Sequence, residues 1–209
     1  MIKENKYIII FIILIIVGIF LIGCKLIYNH EKEQEDKNKI QEFFETEIIN
    51  KDTTVLEEKK ENLETTIVEN QNKEMYIAVL EIPSISLKKG IYDINSKNND
   101  VNKNIQLIKE SDMPDIEDGN FILAGHSGIG RIAYFKKLEQ LNLDDIVFVY
   151  YKGIKYSYQI ISIYLENKDG TISISNENKF SKIILTTCSQ KEKDKQVVVV
   201  GRLISKEKY

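Results

Sequence analysis

The chain has 209 residues, 43% hydrophobic, 29% charged and 9% aromatic, with two Cys, two His and a formal net charge of −3. That balance excludes the phosphate-neutralising surface of a nucleic-acid binder, two cysteines exclude a disulfide-stapled mini-protein, and the abundance of Ile, Leu and Val excludes wholesale disorder. The pooled charge hides three unlike segments: +2 over residues 1–30, −7 over 31–75 and +2 over 76–209.

From Tyr7 to Cys24 no charged residue occurs, and the run is mostly Ile, Leu, Val and Phe. As a helix it spans about 27 Å, close to the hydrocarbon thickness of a bilayer. Lys3 and Lys6 precede it, so the positive-inside rule puts the N-terminus in the cytoplasm and everything after the run outside the cytoplasmic membrane. Residues 1–28 are therefore expected to be a single-pass membrane anchor. No small-x-small cleavage site follows the run, but Leu21-Ile22-Gly23-Cys24 also fits the pattern of a lipidated cysteine.

Residues 29–75 hold no Pro or Gly and are rich in Glu, Lys, Asn and Gln. Ile40, Phe43, Phe44 and Ile48 fall at helical spacing, and the rest is too polar to bury a core. This segment reads as a charged stalk, part helical and part disordered.

Residues 76–209 are long enough for one core. β-branched and aromatic runs predict strands at Tyr76–Ile82, Phe121–Gly125, Ile146–Tyr151, Lys155–Leu165, Thr171–Ser175, Lys182–Thr187 and Gln196–Ile204. Lys152-Gly153 predicts a hairpin turn and Lys168-Asp169-Gly170 a further turn. Helical spacing predicts short helices over Asn102–Lys109 and Ile132–Leu141. Short, regularly spaced strands with few helices predict a mainly β domain built as a closed or nearly closed barrel.

This domain contains one cysteine, Cys188, and one histidine, His126. An unpaired thiol outside the cytoplasm is either fully buried or functional. Cys188 follows Thr186-Thr187, and His126 sits where an apolar strand gives way to a Gly-rich loop, Ala124-Gly125-His126-Ser127-Gly128. A thiol needs a nearby base or cation to become a nucleophile, so the two form a candidate catalytic pair. A buried structural cysteine and a hydrogen-bonded structural histidine are the alternatives.

The motifs, in order, resemble the sortase family of Gram-positive cell-wall transpeptidases. Tyr76-Ile77-Ala78-Val79-Leu80-Glu81-Ile82-Pro83 is similar to the opening strand, and Leu123-Ala124-Gly125-His126-Ser127 to the strand that delivers a catalytic His. Phe135-Lys136-Lys137-Leu138-Glu139-Gln140-Leu141 matches the F-x-x-L-x-x-L segment, and Ile184-Leu185-Thr186-Thr187-Cys188 the strand that ends at the nucleophile. His before Cys is the reverse of the papain-like order. The resemblance implies an eight-stranded barrel; no cofactor is expected. It also implies a two-step reaction in which Cys188 attacks the backbone of a C-terminal Leu-Pro-x-Thr-Gly-like sorting signal and His126 moves protons. The partners it implies are a surface protein or pilin bearing the signal, and an amine acceptor from a cell-wall precursor or a pilin lysine.

One departure stands out. Sortases carry an Arg at the start of the strand after the nucleophile, to bind the substrate carbonyl or the oxyanion. Counting back from Gly201, that position holds Gln196 here. Gln196 can donate a neutral hydrogen bond, weaker than a charged one, and Lys195 can supply a charge but no bidentate contact. The other arginines of the domain are Arg131, in the loop after His126, and Arg202, at the far end of the strand. A weak or inactive barrel acting as a peptide-binding module is the alternative function. Asp112, Asp115, Glu117 and Asp118 form an acidic cluster without the spacing of a known Ca2+ loop, so no metal is expected.

Overall fold

The computed structural model describes residues 2–52, 74–174 and 180–209. The chain divides into two compact units, residues 1–38 and Lys39–Tyr209. One helix, α1, runs over Ile2–Asp52, and from Ile10 onward it is long and apolar enough to be a candidate membrane span. The remainder of the expected stalk, residues 53–73, lies outside the described residues, as does the side chain of Ile48.

In the second unit, eight strands form one sheet: β1 (Ala78–Ile82), β2 (Leu87–Ile91), β3 (Gln106–Leu107), β4 (Asn120–Ala124), β5 (Ile146–Tyr151), β6 (Ile154–Asn167), β7 (Lys182–Cys188) and β8 (Lys195–Lys208). Their order is β2-β1-β5-β6-β8-β7-β4-β3. The pairings are antiparallel except β4 with β7. The fold is mainly β, a nearly closed eight-stranded barrel preceded by the apolar helix. Its interior is a single apolar cluster in which Leu80, Ile82, Phe121, Leu123, Phe135, Leu138, Val147, Tyr158, Ile183 and Leu185 are almost fully buried.

The outer face is covered in two places. Ile40, Phe43 and Phe44 of α1 pack with Tyr76, Val79, Tyr92, Tyr150 and Tyr209, and Phe44, Tyr150 and Tyr209 meet edge to face at 5.1–5.4 Å. These are the residues whose spacing predicted an amphipathic segment. Ile122, Ile184 and Val198 form the second outer cluster, beneath Ile172 and Ile174.

Three expected elements take a different form. Asn102–Lys109 is not a helix: residues 101–103 turn, and Gln106–Leu107 pairs with β4. Asp100 accepts from the backbone and side chain of Asn102, and the Asn99 side chain bonds both the N–H and the carbonyl of Leu107. Such side-chain bonds compete with helical ones. Ile132–Leu141 is a chain of tight turns ending in a 3-10 turn at Leu138–Gln140. Leu138 donates to Phe135, Gln140 to Lys137 and Leu141 to Leu138; an apolar spacing of three suits that period as well as an α-helix. Over Thr171–Ile174 no strand forms, and Ser175 is outside the described residues. This stretch is tied down by side chains: the Tyr164 hydroxyl donates to the Ser173 carbonyl at 2.8 Å, and the Ser173 N–H donates to Glu166 at 3.2 Å.

Candidate active site

The β4–β7 pairing sets the site. Its register runs from Asn120 opposite Lys182 to Ala124 opposite Thr186. Two residues further along each chain, position 126 falls opposite position 188. The chains stay together past the end of the ladder. Gly125 N–H donates to the Thr186 carbonyl at 3.1 Å, the Thr187 hydroxyl to the Gly125 carbonyl at 2.7 Å, and the Ser127 hydroxyl to the Cys188 carbonyl at 2.6 Å. Adjacent strands lie about 4.8 Å apart, so the register brings positions 126 and 188 into one neighbourhood. Both side chains are partly exposed.

Gly125 permits close approach of the chain beneath His126. A Cβ there would stand 2.9 Å from the buried Phe135 ring, while Phe135 N–H donates to the His126 carbonyl at 3.0 Å. His126 Nε2 lies 3.2 Å from Asn102 Oδ1. The Asn102 amide nitrogen donates to Asp100, which turns its oxygen toward the ring. An oxygen acceptor at that distance makes Nε2 the protonated nitrogen and leaves Nδ1 for other work.

Gln196 is directly opposite Cys188 in the β7–β8 ladder, and Glu166 is directly opposite Gln196 in the β6–β8 ladder. The three share a face, the outer one. Gln196 is 9% exposed. Its Nε2 donates to Glu166 Oε1 at 3.2 Å and, over a shorter distance, to the Thr171 carbonyl. Both partners are acceptors, so they fix the amide orientation and occupy both of its hydrogens.

The structure does not bring Lys195 into this row. One residue from Gln196, it alternates to the other side of the strand and donates to Asn167 Oδ1 at 2.8 Å. Arg131 is exposed in the loop after His126. Arg202 is exposed at the opposite end of β8, across from Lys182 and with its guanidinium 5.9 Å from the Phe180 ring.

Asn102, Glu166 and Glu139 are residues that sequence reasoning passed over. Asp100-x-Asn102 is a turn pattern that could have been read; nothing local marks Glu166 or Glu139, which reach the site through strand register and chain reversal. The acidic cluster has other work. Asp112 accepts from the Asn120 N–H at 2.9 Å, and Asp115 pairs with Lys152 at 3.0 Å. No group of three His, Cys, Asp or Glu able to hold a metal occurs among the described residues.

Comparison with known proteins follows the same outline. A family model described as a sortase domain matches residues 80–204. The chain is 23% identical over 205 residues to sortase A of Bacillus anthracis, covering 97% of this chain and 96% of that protein. It is 29% identical over 110 residues to sortase D of Bacillus subtilis, covering 53% and 52% of the two chains. Among solved structures, Streptococcus pneumoniae sortase C superposes with a TM-score of 0.55 at 19% identity, over 62% of this chain and 69% of that one. Listeria monocytogenes sortase A does so with 0.54 at 21%, over 64% and 90%. With the family model matching more than half of its length, this chain belongs to the sortase family of transpeptidases.

Proposed function

We propose that this protein is a membrane-anchored cysteine transpeptidase that cleaves a C-terminal sorting signal of Leu-Pro-x-Thr-Gly type and joins the protein to an amine. In this reading residues 1–28 anchor the chain in the cytoplasmic membrane with the N-terminus inside. Residues 29–75 form the stalk, and residues 76–209 form the catalytic domain outside. The reading is carried by one observation: the β4–β7 register, in which position 126 falls opposite position 188.

The chemistry needs two proton transfers and one covalent intermediate. The Cys188 sulfur attacks the scissile carbonyl carbon, giving a tetrahedral oxyanion. His126 gives a proton to the leaving amine as the C–N bond breaks, and a thioester remains on Cys188. An incoming amine, from a cell-wall precursor or a pilin lysine, attacks that thioester and gives its proton to His126. The C–S bond then breaks, a new amide forms and the starting pair, Cys188 thiolate and His126 imidazolium, is restored. Gln196, which lies opposite Cys188 in the β7–β8 ladder, takes the oxyanion-binding role in this reading. With both amide hydrogens engaged, it serves the oxyanion by exchanging Thr171 or Glu166 for the substrate oxygen.

The test uses the full chain in detergent with a sorting-signal peptide. The expected result is a thioacyl adduct on Cys188 by mass spectrometry, released by an amine or by hydroxylamine and absent in Cys188→Ala. If candidate peptides bind but give no adduct while a thiol reagent still labels Cys188, the peptide-binding-module reading takes its place.

A further inference from the structure

The turn that follows the nucleophile, from Ser189 to Asp194, has little packing to hold it. Residues 190–194 are exposed. Ser189 and Lys191 line an open cavity of about 300 Å3 together with Glu139, Ile163, Tyr164, Leu165 and Val197. A segment backed by a cavity forfeits the contacts that fix a packed one, so its position depends on hydrogen bonds.

Those bonds converge on one carboxylate. Glu139 sits on the 3-10 turn of the His126 loop, and its side chain is 15% exposed. Its Oε1 accepts from the Ser189 hydroxyl at 2.8 Å and from the Gln190 N–H at 2.9 Å. Its Oε2 faces the Lys191 ammonium at 3.7 Å. From the other side, the Gln190 amide donates to the Ser127 carbonyl at 2.9 Å and to the Lys136 carbonyl. Ser127 in turn donates to the carbonyl of Cys188. The residues just after the nucleophile are thus bonded back to the residues just after His126, with Glu139 as the shared acceptor.

We propose that Glu139 is a positioning residue for the transpeptidase reaction, which holds the Cys188 strand end in register with the His126 loop through Ser189 and Gln190. Its hydrogen bonds go to Ser189 and Gln190, and it acts through the turn. The proposal rests on the cysteine-transpeptidase reading above. Its physical sense is that a misplacement of about 1 Å in a reacting pair costs as much as a hundredfold in rate. Here no charged Arg at position 196 tightens the site from the other flank. Burial raises the Glu139 carboxyl, but the Gln190 N–H, the Ser189 hydroxyl and Lys191 more than offset it. The group is held below the usual glutamate range and stays an acceptor throughout the working pH range.

The experiment compares Glu139→Ala with Glu139→Gln in the full chain in detergent. Three readouts are used: kcat and KM for a sorting-signal peptide, the second-order rate of Cys188 alkylation by iodoacetamide across pH 5–9, and the thermal midpoint. Glu139→Ala is expected to lower kcat about tenfold with KM within about twofold, and to displace the pH profile of alkylation. The amide oxygen of Glu139→Gln still accepts both bonds, so it should restore kcat to within about threefold of the parent. The proposal is overturned if Glu139→Ala keeps its kcat and alkylation profile, or if the two variants fall equally far. Should the parent protein itself form no thioester while Cys188 remains alkylatable, the transpeptidase reading fails. The alkylation profile then decides the positioning role by itself: displaced in Ala and retained in Gln supports it, unchanged in both rejects it.

Discussion

Gln196 stands directly across the β7–β8 ladder from Cys188, with both of its amide hydrogens committed to Glu166 and Thr171. In the proposed reading, the position matched to the family's Arg holds a side chain without charge and next to a carboxylate. Arg has five donors in a planar fork. In Gln196→Arg it can pair with Glu166 and still point N–H groups toward the oxyanion. The variant is expected to equal or exceed the parent in kcat/KM for the peptide, measured with the thioester assay. A loss of more than about tenfold, a 1.4 kcal/mol change in barrier, would reject Gln196 as the third residue of the site.

Asn102 orients His126 through a single 3.2 Å contact, and is itself held by Asp100. Asn102→Ala removes the bond to His126, about 1 kcal/mol, together with the side-chain bond to Asp100. The expected result is a kcat about fivefold lower with the thermal midpoint unchanged, since the residue is exposed. A midpoint that falls as far as activity would make Asn102 a fold residue instead.

Gly125→Ala tests how tightly the loop beneath His126 is fitted. The added methyl meets the Phe135 ring at 2.9 Å, and Phe135 is completely buried. Overpacking of this kind costs about 1–3 kcal/mol. Both stability and kcat should fall, and pairing it with Phe135→Leu should recover part of each. Full activity in Gly125→Ala alone would show that the loop has slack.

Tyr150 gives a pH prediction away from the site. Burial first, then the hydrogen bond and charge of Glu81, push its phenol up to about 12 from an ordinary 10.0. The fold therefore favours the neutral phenol. The stability it contributes is complete below pH 10 and is lost as pH rises from there toward 12. In urea titrations at pH 8, 10 and 11.5, Tyr150→Phe should lose less stability than the parent over that interval. Parallel pH dependences would reject the assignment.

Much of this was legible in the chain, and the illegible parts share a cause. Ile184-Leu185-Thr186-Thr187-Cys188 and Leu123-Ala124-Gly125-His126 announce two buried strands by composition, and both are strands. Leu87–Ile91 is not announced, because an edge strand carrying Lys88, Lys89 and Gly90 lacks the apolar run of a central one. β3 is two residues long and leaves no period to detect. Within the site, His126 and Cys188 were legible from scarcity, one His and one Cys in the domain. Lys195 and Gln196 remained equal choices until the ladder set one opposite Cys188 and the other on the alternate face. Glu139 and Glu166 enter only through contacts 50 and 30 residues apart in sequence.

The parallel β4–β7 pair has a consequence for the order of folding. Parallel neighbours cannot be joined by a tight turn, and here 62 residues separate each position from its partner. Closing so long a loop is entropically costly before any contact rewards it. The hairpins β1–β2, β5–β6 and β7–β8 can form from local sequence, but positions 126 and 188 meet only when this non-local seam closes. A partly folded chain thus carries a thiol and an imidazole that are not yet neighbours, and assembly of the barrel is also what brings the candidate catalytic pair together.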